Sequence, residues 1–247
     1  MVPMTRAGRL ISLAGALLAA ALAAAPAQAQ DANDPFEPVN RVIFDVNEVF
    51  DVNILRPAAV FYRDNFPQPV RTGVTNFLQN LRSPLTFANQ VLQGDAHGAG
   101  VALARFMLNT TVGLAGFVDI AGQNGMPYEY ESLDQTLAVW GLPEGPYLVL
   151  PLFGGSSVRD ATGFGVEFFY DPVSLYLDNV HLYELALVRG MISGVDTRAI
   201  YIDALDDMKR NSLDYYAAMR SLYRQRRDNW IRDGAPAPNQ PTFDDFE

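Results

Sequence analysis

Charged side chains are distributed very unevenly along this chain of 247 residues. Over residues 67–118, the only charged residues are Arg71, Arg82, Asp95 and Arg105, whereas 18 of the last 52 residues are charged. A domain that is solvated on all sides spreads its charges over every exposed element. The nearly uncharged stretch therefore either forms a buried core or faces something other than water.

The composition excludes several classes of functional site. The sequence has no cysteine and only two histidines, His97 and His181, which excludes disulfides, thiolate metal sites, cysteine nucleophiles and metal centres with three or more histidines. Its net charge of −10 argues against a general nucleic-acid binder, because neutralising phosphates requires a basic surface. We therefore expect no cofactor, no metal and no nucleic-acid partner.

The first 29 residues have the layout of a secretory signal peptide. Arg6 and Arg9 precede an apolar run over 10–25, and Ala-Gln-Ala at 27–29 supplies the small residues of a cleavage site. The alternative is a membrane-anchoring first helix, but Pro26 ends the run sharply. We predict an exported chain with three parts: a signal peptide at 1–29, one helical domain at 30–233 and a disordered, proline-rich acidic tail at 234–247.

The hydrophobic periodicity is helical through most of the chain, which predicts an all-α fold. Apolar residues recur at helical spacing over 39–54 and over 70–81. Arg56-Pro57 is predicted to end the first helix and Ser83-Pro84 to begin a new one, because proline disfavours helical geometry in the residue before it. The segment 99–108 is apolar nearly all round, which predicts burial on every side. No uncharged stretch after the signal peptide reaches the ~20 residues that a membrane-crossing helix needs.

The sequence contains no arrangement that points to an enzyme. Serines, acids and two histidines are present, but there is no G-x-S-x-G elbow. Ser156-Ser157 followed by Asp160 is typical of the start of a helix. We predict that the protein is not an enzyme.

The apolar stretch itself has two interpretations. It is either the core of a soluble helical domain or a set of amphipathic helices that lie flat in a membrane. Burying six to ten large side chains in lipid would contribute on the order of 10–25 kcal/mol before entropy costs, more than one acyl chain provides. Anionic lipid would repel so acidic a chain, so membrane binding would depend on apolar insertion.

Several short motifs, taken together, resemble the MlaA (VacJ) family of outer-membrane proteins. They follow the family's order from about Asp34 to Asp228. The main ones are D-P-F-E-P-V-N-R at 34–41, P-Q-P-V-R-T-G-V-T-N-F at 67–77, L-Q-G-D at 92–95, R-F-M-L-N-T at 105–110 and G-P-Y-L-V-L-P at 145–151.

The resemblance implies a single ring- or disc-like domain of amphipathic helices lying in the membrane plane, with a central channel and short extended connections. It implies removal of mislocalised phospholipids from the outer leaflet through that amphipathic channel, which maintains lipid asymmetry. The implied partners are phospholipids, an outer-membrane porin and a periplasmic lipid-shuttle protein. The alternative is a soluble periplasmic binding or adaptor protein with an ordinary helical core.

The N-terminal region departs from the family pattern. Family members are typically lipoproteins with a cysteine at the cleavage site, whereas this sequence has Ala29-Gln30 there and no cysteine. We therefore expect an outer-membrane protein that is exported through a cleaved signal peptide and is not lipidated.

Three sets of residues are candidates for functional roles. The isolated arginines could meet lipid phosphates or pair with internal carboxylates, and small residues could form the narrow part of the channel. The channel candidates are Arg71, Arg82, Arg105, Gly113 and Gly116. The membrane-facing candidates are Ile43, Val46, Phe50, Phe77, Leu78 and Leu81. The partner-docking candidates are Arg220, Arg224 and Arg227, which either form a basic stripe for an acidic periplasmic partner or are cations placed near a helix C-terminus.

Overall fold

The computed structural model describes residues 34–232, and the predicted signal peptide and acidic tail lie outside the described residues. The described part is helical apart from one hairpin. The helices are α1 (Glu37–Phe50), α2 (Arg56–Asn65), α3 (Gln68–Gln93), α4 (Ala96–Thr111), α5 (Ile120–Gln123), α6 (Leu133–Val139), α7 (Val158–Tyr170), α8 (Pro172–Asn179), α9 (Tyr183–Ile200), α10 (Ile202–Asn211) and α11 (Tyr215–Ile231). A π-helical segment, Asp51–Leu55, joins α1 to α2. The antiparallel hairpin pairs β1 (Tyr147–Leu150) with β2 (Gly154–Ser157).

The elements pack on one another in a closed ring. α1 packs on β1, β2 on α7, α7 on α6, α6 on α3, α3 on α9, and α9 on α2 and the π-helical segment, which leads back to α1. α11 contacts α6 and β2, and α4 packs along α3 on the outside of this ring. The predicted all-α, ring-like architecture is confirmed.

A clasp of polar side chains joins the two ends of the described chain. Asp34 accepts hydrogen bonds from Asn40 at 2.8 Å, from the Tyr216 hydroxyl and from Arg220 at 2.8 Å. Asn40 also donates to the carbonyl of Tyr147 and accepts from the amide of Val149, which ties the clasp to β1. The ring is therefore closed by residues that are far apart in sequence.

Polar residues fill the interior and apolar residues cover the outside. Of the described residues, nine buried ones are apolar and twenty-two are polar or charged. The apolar ones form two small clusters, Ala59–Ala199–Ile202 and Tyr147–Val149–Tyr216. Thirty-nine large apolar side chains are exposed, on eight of the eleven helices and in connecting segments, whereas α5, α10 and α11 carry none of them. This is the reverse of the arrangement in a water-soluble domain, where large apolar side chains are the ones most often buried.

Two predicted helix boundaries are wrong. α3 runs unbroken through Ser83-Pro84, and the Ser83 hydroxyl donates to the carbonyl of Gln79 inside it. An internal proline costs about 3 kcal/mol, which packing against α4, α6 and α9 offsets. The helical geometry also continues through Arg56-Pro57, since the wider π-helical turn before it gives the proline ring room.

The prediction that 99–108 is buried on every side is also wrong. α4 buries a face of small and polar residues, including Ala99, Ala102 and Arg105, and exposes Leu103 and Met107. The small side chains let α4 approach α3 closely, so the large apolar ones point outward. Among residues 34–232, every helix is too short or too polar to cross a membrane.

Candidate functional site

The ring encloses an open cavity of about 550 Å³. One part of its wall is apolar, with Phe50, Leu55, Phe153 and Phe164 among its lining residues. The rest carries five carboxylates and four guanidinium groups. These are Glu48, Asp51, Asp134, Asp160 and Glu167, with Arg82, Arg198, Arg226 and Arg227. The cavity therefore offers an amphipathic surface to a ligand.

Arg82 lies in the cavity wall between a carboxylate and an aromatic ring. Its guanidinium donates to Glu167 at 2.8 Å and lies 4.4 Å from the centre of the Tyr130 ring. Burial alone would lower the pKa of Arg82, but attraction to Tyr130 and Glu167 outweighs it, so the pKa is raised and the group stays charged. About a quarter of the side chain, 27%, remains exposed.

Arg227 forms a second charged cluster in the same wall. It is buried and contacts Asp134 at 2.6 Å and Asp160 at 2.7 Å. Burial raises the pKa of Asp134, and Arg227 opposes that shift. The Tyr223 hydroxyl and, at 3.1 Å, Arg159 also donate to Asp160, so this acid has two partners besides Arg227.

The π-helical segment leads to a smaller cavity of about 310 Å³. Arg198 lines both cavities and donates to Asp51 at 2.8 Å and to Asp206 at 3.3 Å. Arg56 donates to Asp206 at 2.6 Å, and this hydrogen bond is the largest cause that lowers the pKa of Asp206 to about 2. A network of ion pairs thus lies where the two cavities share lining residues. Within the described part of the chain, no group of three or more His, Cys, Asp or Glu side chains could hold a metal ion.

The structure brings only one of the three channel arginines to the cavity. Arg71 is half-buried and donates to the carbonyl of Phe66 at 3.2 Å. Arg105 is buried and donates to Asp119 at 3.0 and 3.1 Å and to the carbonyl of Met126. Neither lines the larger cavity. Both Arg82 and Arg105 thus have an internal carboxylate partner, as the alternative expected, and of the two only Arg82 also lines the larger cavity.

Gly113 and Gly116 lie in a tight loop against α3 and not in the wall of the larger cavity. A Cβ on Gly113 would be 2.2 Å from the carbonyl oxygen of Val118, and one on Gly116 would be 2.4 Å from the Cβ of Asn80. Gly116 also has φ +100, which side-chain-bearing residues rarely adopt. Both glycines therefore permit close packing and do not narrow a channel.

We expect Gly113→Ala to lower the free energy of unfolding by about 1–3 kcal/mol, because the atoms it meets are backbone. Gly100→Ala is the matched control, because a Cβ at this position in α4 meets open space. This substitution should raise the free energy of unfolding by about 0.5–1 kcal/mol. Denaturant unfolding in detergent measures both. Equal effects of the two substitutions would contradict the packing role.

The membrane-facing candidates divide between the two sides of the ring. Val46 is 59% exposed on the outside. Ile43 packs on the buried cluster around Tyr147, and Phe50 lines the cavity. Both side chains therefore face inward and not toward the membrane, since the inner face of α1 is itself partly apolar. Phe77 stacks on Phe117 at 4.8 Å. Leu78 and Leu81 are half-buried on α3.

The basic stripe of α11 faces the interior, which contradicts its assignment as a docking surface. Arg220 pairs with Asp34 at 2.8 Å, and Arg227 is buried between Asp134 and Asp160. Arg224 is half-buried and acts electrostatically on Glu144 and Tyr147. The i, i+4, i+7 spacing of these arginines marks the face of α11 that points into the ring, because the interior of the ring is charged.

Most of the residues that line the larger cavity are not among the candidates from the sequence, and Tyr130, Arg226 and Trp230 are three of them. The i, i+4 spacing of Arg226 and Trp230 on one helix was the available signal, since residues at this spacing are neighbours. Tyr130 lies in a loop, and nothing local in the sequence places it beside them.

Comparison with known proteins gives consistent matches. A family model described as "MlaA lipoprotein" matches residues 32–229. A protein of Escherichia coli (strain K12) named "Intermembrane phospholipid transport system lipoprotein MlaA" is 36% identical over 94% of this chain and 92% of its own length. One of Haemophilus influenzae with the same name is 29% identical over 88% of this chain and 87% of its own length.

A solved structure has the same fold. It was reported under "Structural basis for maintenance of bacterial outer membrane lipid asymmetry". The match has a TM-score of 0.71 and 36% sequence identity, and it covers 80% of this chain and 98% of that one.

The expectation that the protein is not lipidated is contradicted by these names. The family model and the relatives from Escherichia coli and Haemophilus influenzae are described as lipoproteins. The expectation depends on the absence of cysteine alone, and the similarity to these proteins extends over most of the chain. The comparison instead indicates a family of lipidated outer-membrane proteins.

Proposed function

Because this chain belongs to the MlaA family, we propose that it is the outer-membrane component of an intermembrane phospholipid transport system. It removes mislocalised phospholipids from the outer leaflet through the cavity of the ring and so maintains lipid asymmetry. The relatives' names describe phospholipid transport, and the structurally similar protein was studied for outer-membrane lipid asymmetry.

The observation that supports this proposal most strongly is that apolar side chains lie on the outside of the ring and polar ones on the inside. Large apolar side chains cover the exterior, and a charged cavity of about 550 Å³ lies within. An apolar exterior suits acyl chains as solvent, because exposing this many apolar side chains to water would be costly. A soluble adaptor protein would show the opposite arrangement.

The cavity suits passage of a polar head group. Its volume is in the range of ligand-binding pockets, roughly 300–1,000 Å³. Three of the four arginines of the wall pair with its carboxylates. A zwitterionic head group could exchange contacts with these pairs, so no unpaired charge would have to be buried. The apolar part of the wall, including Phe153 and Phe164, would contact the upper acyl chains.

We assign Arg82 a role in contacting the head group. Its guanidinium is held by Glu167 and Tyr130, yet part of it opens to the cavity. We also propose a trimeric porin as the membrane partner and a soluble lipid shuttle as the periplasmic acceptor. Binding and passage require no bond to be broken, so we propose no catalytic step.

The test is complementation of a Gram-negative strain that lacks its own family member. Surface phosphatidylethanolamine, measured with a membrane-impermeant amine reagent, should fall to the parental level when this chain is expressed. Arg82→Gln should leave surface lipid raised by several-fold at equal protein level. Arg63→Gln, which removes an arginine paired with Asp203 outside the cavity, is the matched control and should complement fully. Failure of the unmodified chain to lower surface lipid would contradict the proposed function.

A further inference from the structure

Two arginines and two aromatic rings form a continuous row along the cavity wall. Arg82 lies 4.4 Å from the centre of the Tyr130 ring, Tyr130 lies 5.2 Å from Trp230, and the Arg226 guanidinium lies 4.6 Å from the Trp230 ring. All four side chains line the larger cavity. The row thus presents a cation at each end.

The two ends of the row differ in charge balance. Arg82 is neutralised by Glu167 at 2.8 Å. Arg226 forms no ion pair with any carboxylate among residues 34–232, and its guanidinium lies against the rings of Trp230 and Tyr201. The other two arginines of the wall, Arg198 and Arg227, each pair with two carboxylates. Arg226 is therefore the cation of the described wall whose charge is not offset.

Stacking on a ring leaves a guanidinium able to bind an anion. The ring contacts the planar face of the group, whereas its five N–H donors point outward around the edge. That edge matches two oxygens of a phosphate in a bidentate arrangement. Trp230 would hold the plane of Arg226 fixed, so little side-chain freedom would be lost on binding.

The rest of the wall restricts which anions can enter. Five carboxylates and four guanidinium groups line the cavity, so a small free anion meets net negative charge. A phosphodiester that carries an ammonium group meets acids as well as the unpaired arginine, and this favours a zwitterionic head group.

We propose that Arg226, held in place by Trp230, binds the phosphate of the phospholipid head group inside the cavity. This inference rests on the proposed function and adds to it a specific phosphate site, distinct from the contact assigned to Arg82.

Trp230 itself can report on this site. The sequence has two tryptophans, Trp140 and Trp230, so Trp140→Phe leaves a single emitter at the proposed site. In that background the full chain is titrated in detergent micelles with phosphatidylethanolamine, with diacylglycerol that lacks phosphate, and with inorganic phosphate. We expect the fluorescence emission of Trp230 to change saturably with phosphatidylethanolamine and to stay unchanged with diacylglycerol.

Substitutions at Arg226 then test the assignment. Arg226→Gln should weaken phosphatidylethanolamine binding by about tenfold or more, because a charge-assisted contact is lost. Arg226→Lys keeps the charge without the planar fork and should bind with intermediate affinity. Arg63→Gln lies outside the cavity and should bind like the parent. Arg226 is exposed, so these variants should fold, and circular dichroism checks this.

Each contrary result has a separate meaning. Unchanged affinity in Arg226→Gln would overturn this inference and leave the proposed function standing. An Arg226-dependent response to inorganic phosphate without one to phosphatidylethanolamine would show free phosphate as the ligand and overturn the lipid assignment. Absence of any phosphatidylethanolamine binding by the parent would contradict the proposed function as well.

Discussion

Replacing Arg227 with alanine should lower the free energy of unfolding by about 3 kcal/mol, because it leaves the half-buried Asp134 without its cation and removes one of the two cations, Arg227 and Arg159, that contact the buried Asp160. Arg227 is only 3% exposed, and it contacts Asp134 at 2.6 Å and Asp160 at 2.7 Å. Both acids belong to the wall that connects α6, α7 and α11, so the loss should weaken the ring itself. Denaturant unfolding in detergent measures the change.

The destabilisation should depend on pH in a defined direction. Burial already raises the pKa of Asp134 in the folded protein, and removing Arg227 removes the attraction that opposes this rise. An acid whose folded-state pKa lies above its unfolded value binds protons better when folded. The loss of unfolding free energy in Arg227→Ala should therefore be largest above the folded-state pKa of Asp134 and should shrink as the pH falls through that pKa.

Arg210→Ala is the control for this series, because Arg210 forms an exposed pair with Asp207. Its effect should stay within about 0.5 kcal/mol. A loss of stability in Arg227→Ala that is the same from pH 5 to pH 8 would contradict the role of the unpaired Asp134 carboxylate.

The second large effect concerns the apolar exterior, and the lack of native cysteine in the sequence makes it measurable. Single cysteines placed at Val46, Met107 and Phe168, which are 59%, 59% and 60% exposed, should react at least about tenfold more slowly with a membrane-impermeant maleimide in intact membranes than after denaturation. The reason is that lipid excludes water and the charged reagent from these positions.

Leu213→Cys provides the comparison site. Leu213 is fully exposed between α10 and α11, in the charged third of the chain. It should react equally fast in membranes and after denaturation. Fast labelling at all four positions in intact membranes would contradict a lipid-covered exterior.

The fold class could be predicted from the sequence, because helical periodicity is a local property. The start of α7 is an example, since Ser157 caps it by accepting from the amide of Asp160 as the short motif indicated. The unbroken course of α3 through Pro84 could not be predicted, since it depends on packing against helices that are distant in sequence.

The site could be predicted only in part, for the same physical reason. An arginine within an apolar stretch signals an unusual environment, but its partner decides its role. Arg82 and Arg105 look alike in sequence, yet one pairs with Glu167 in the cavity wall and the other with Asp119 away from it. The exposed apolar arcs show the same limit, because Ile43 and Val46 share a helix but face opposite sides of the ring.

The clasp at Asp34 has a consequence for biogenesis. Its partners Tyr216 and Arg220 come 182 and 186 residues later, so the ring cannot close until α11 has been synthesised. Contacts this distant in sequence also slow folding. Until α11 is available, the apolar side chains of the incomplete ring are exposed to water, and we expect the chain to depend on a chaperone during that interval.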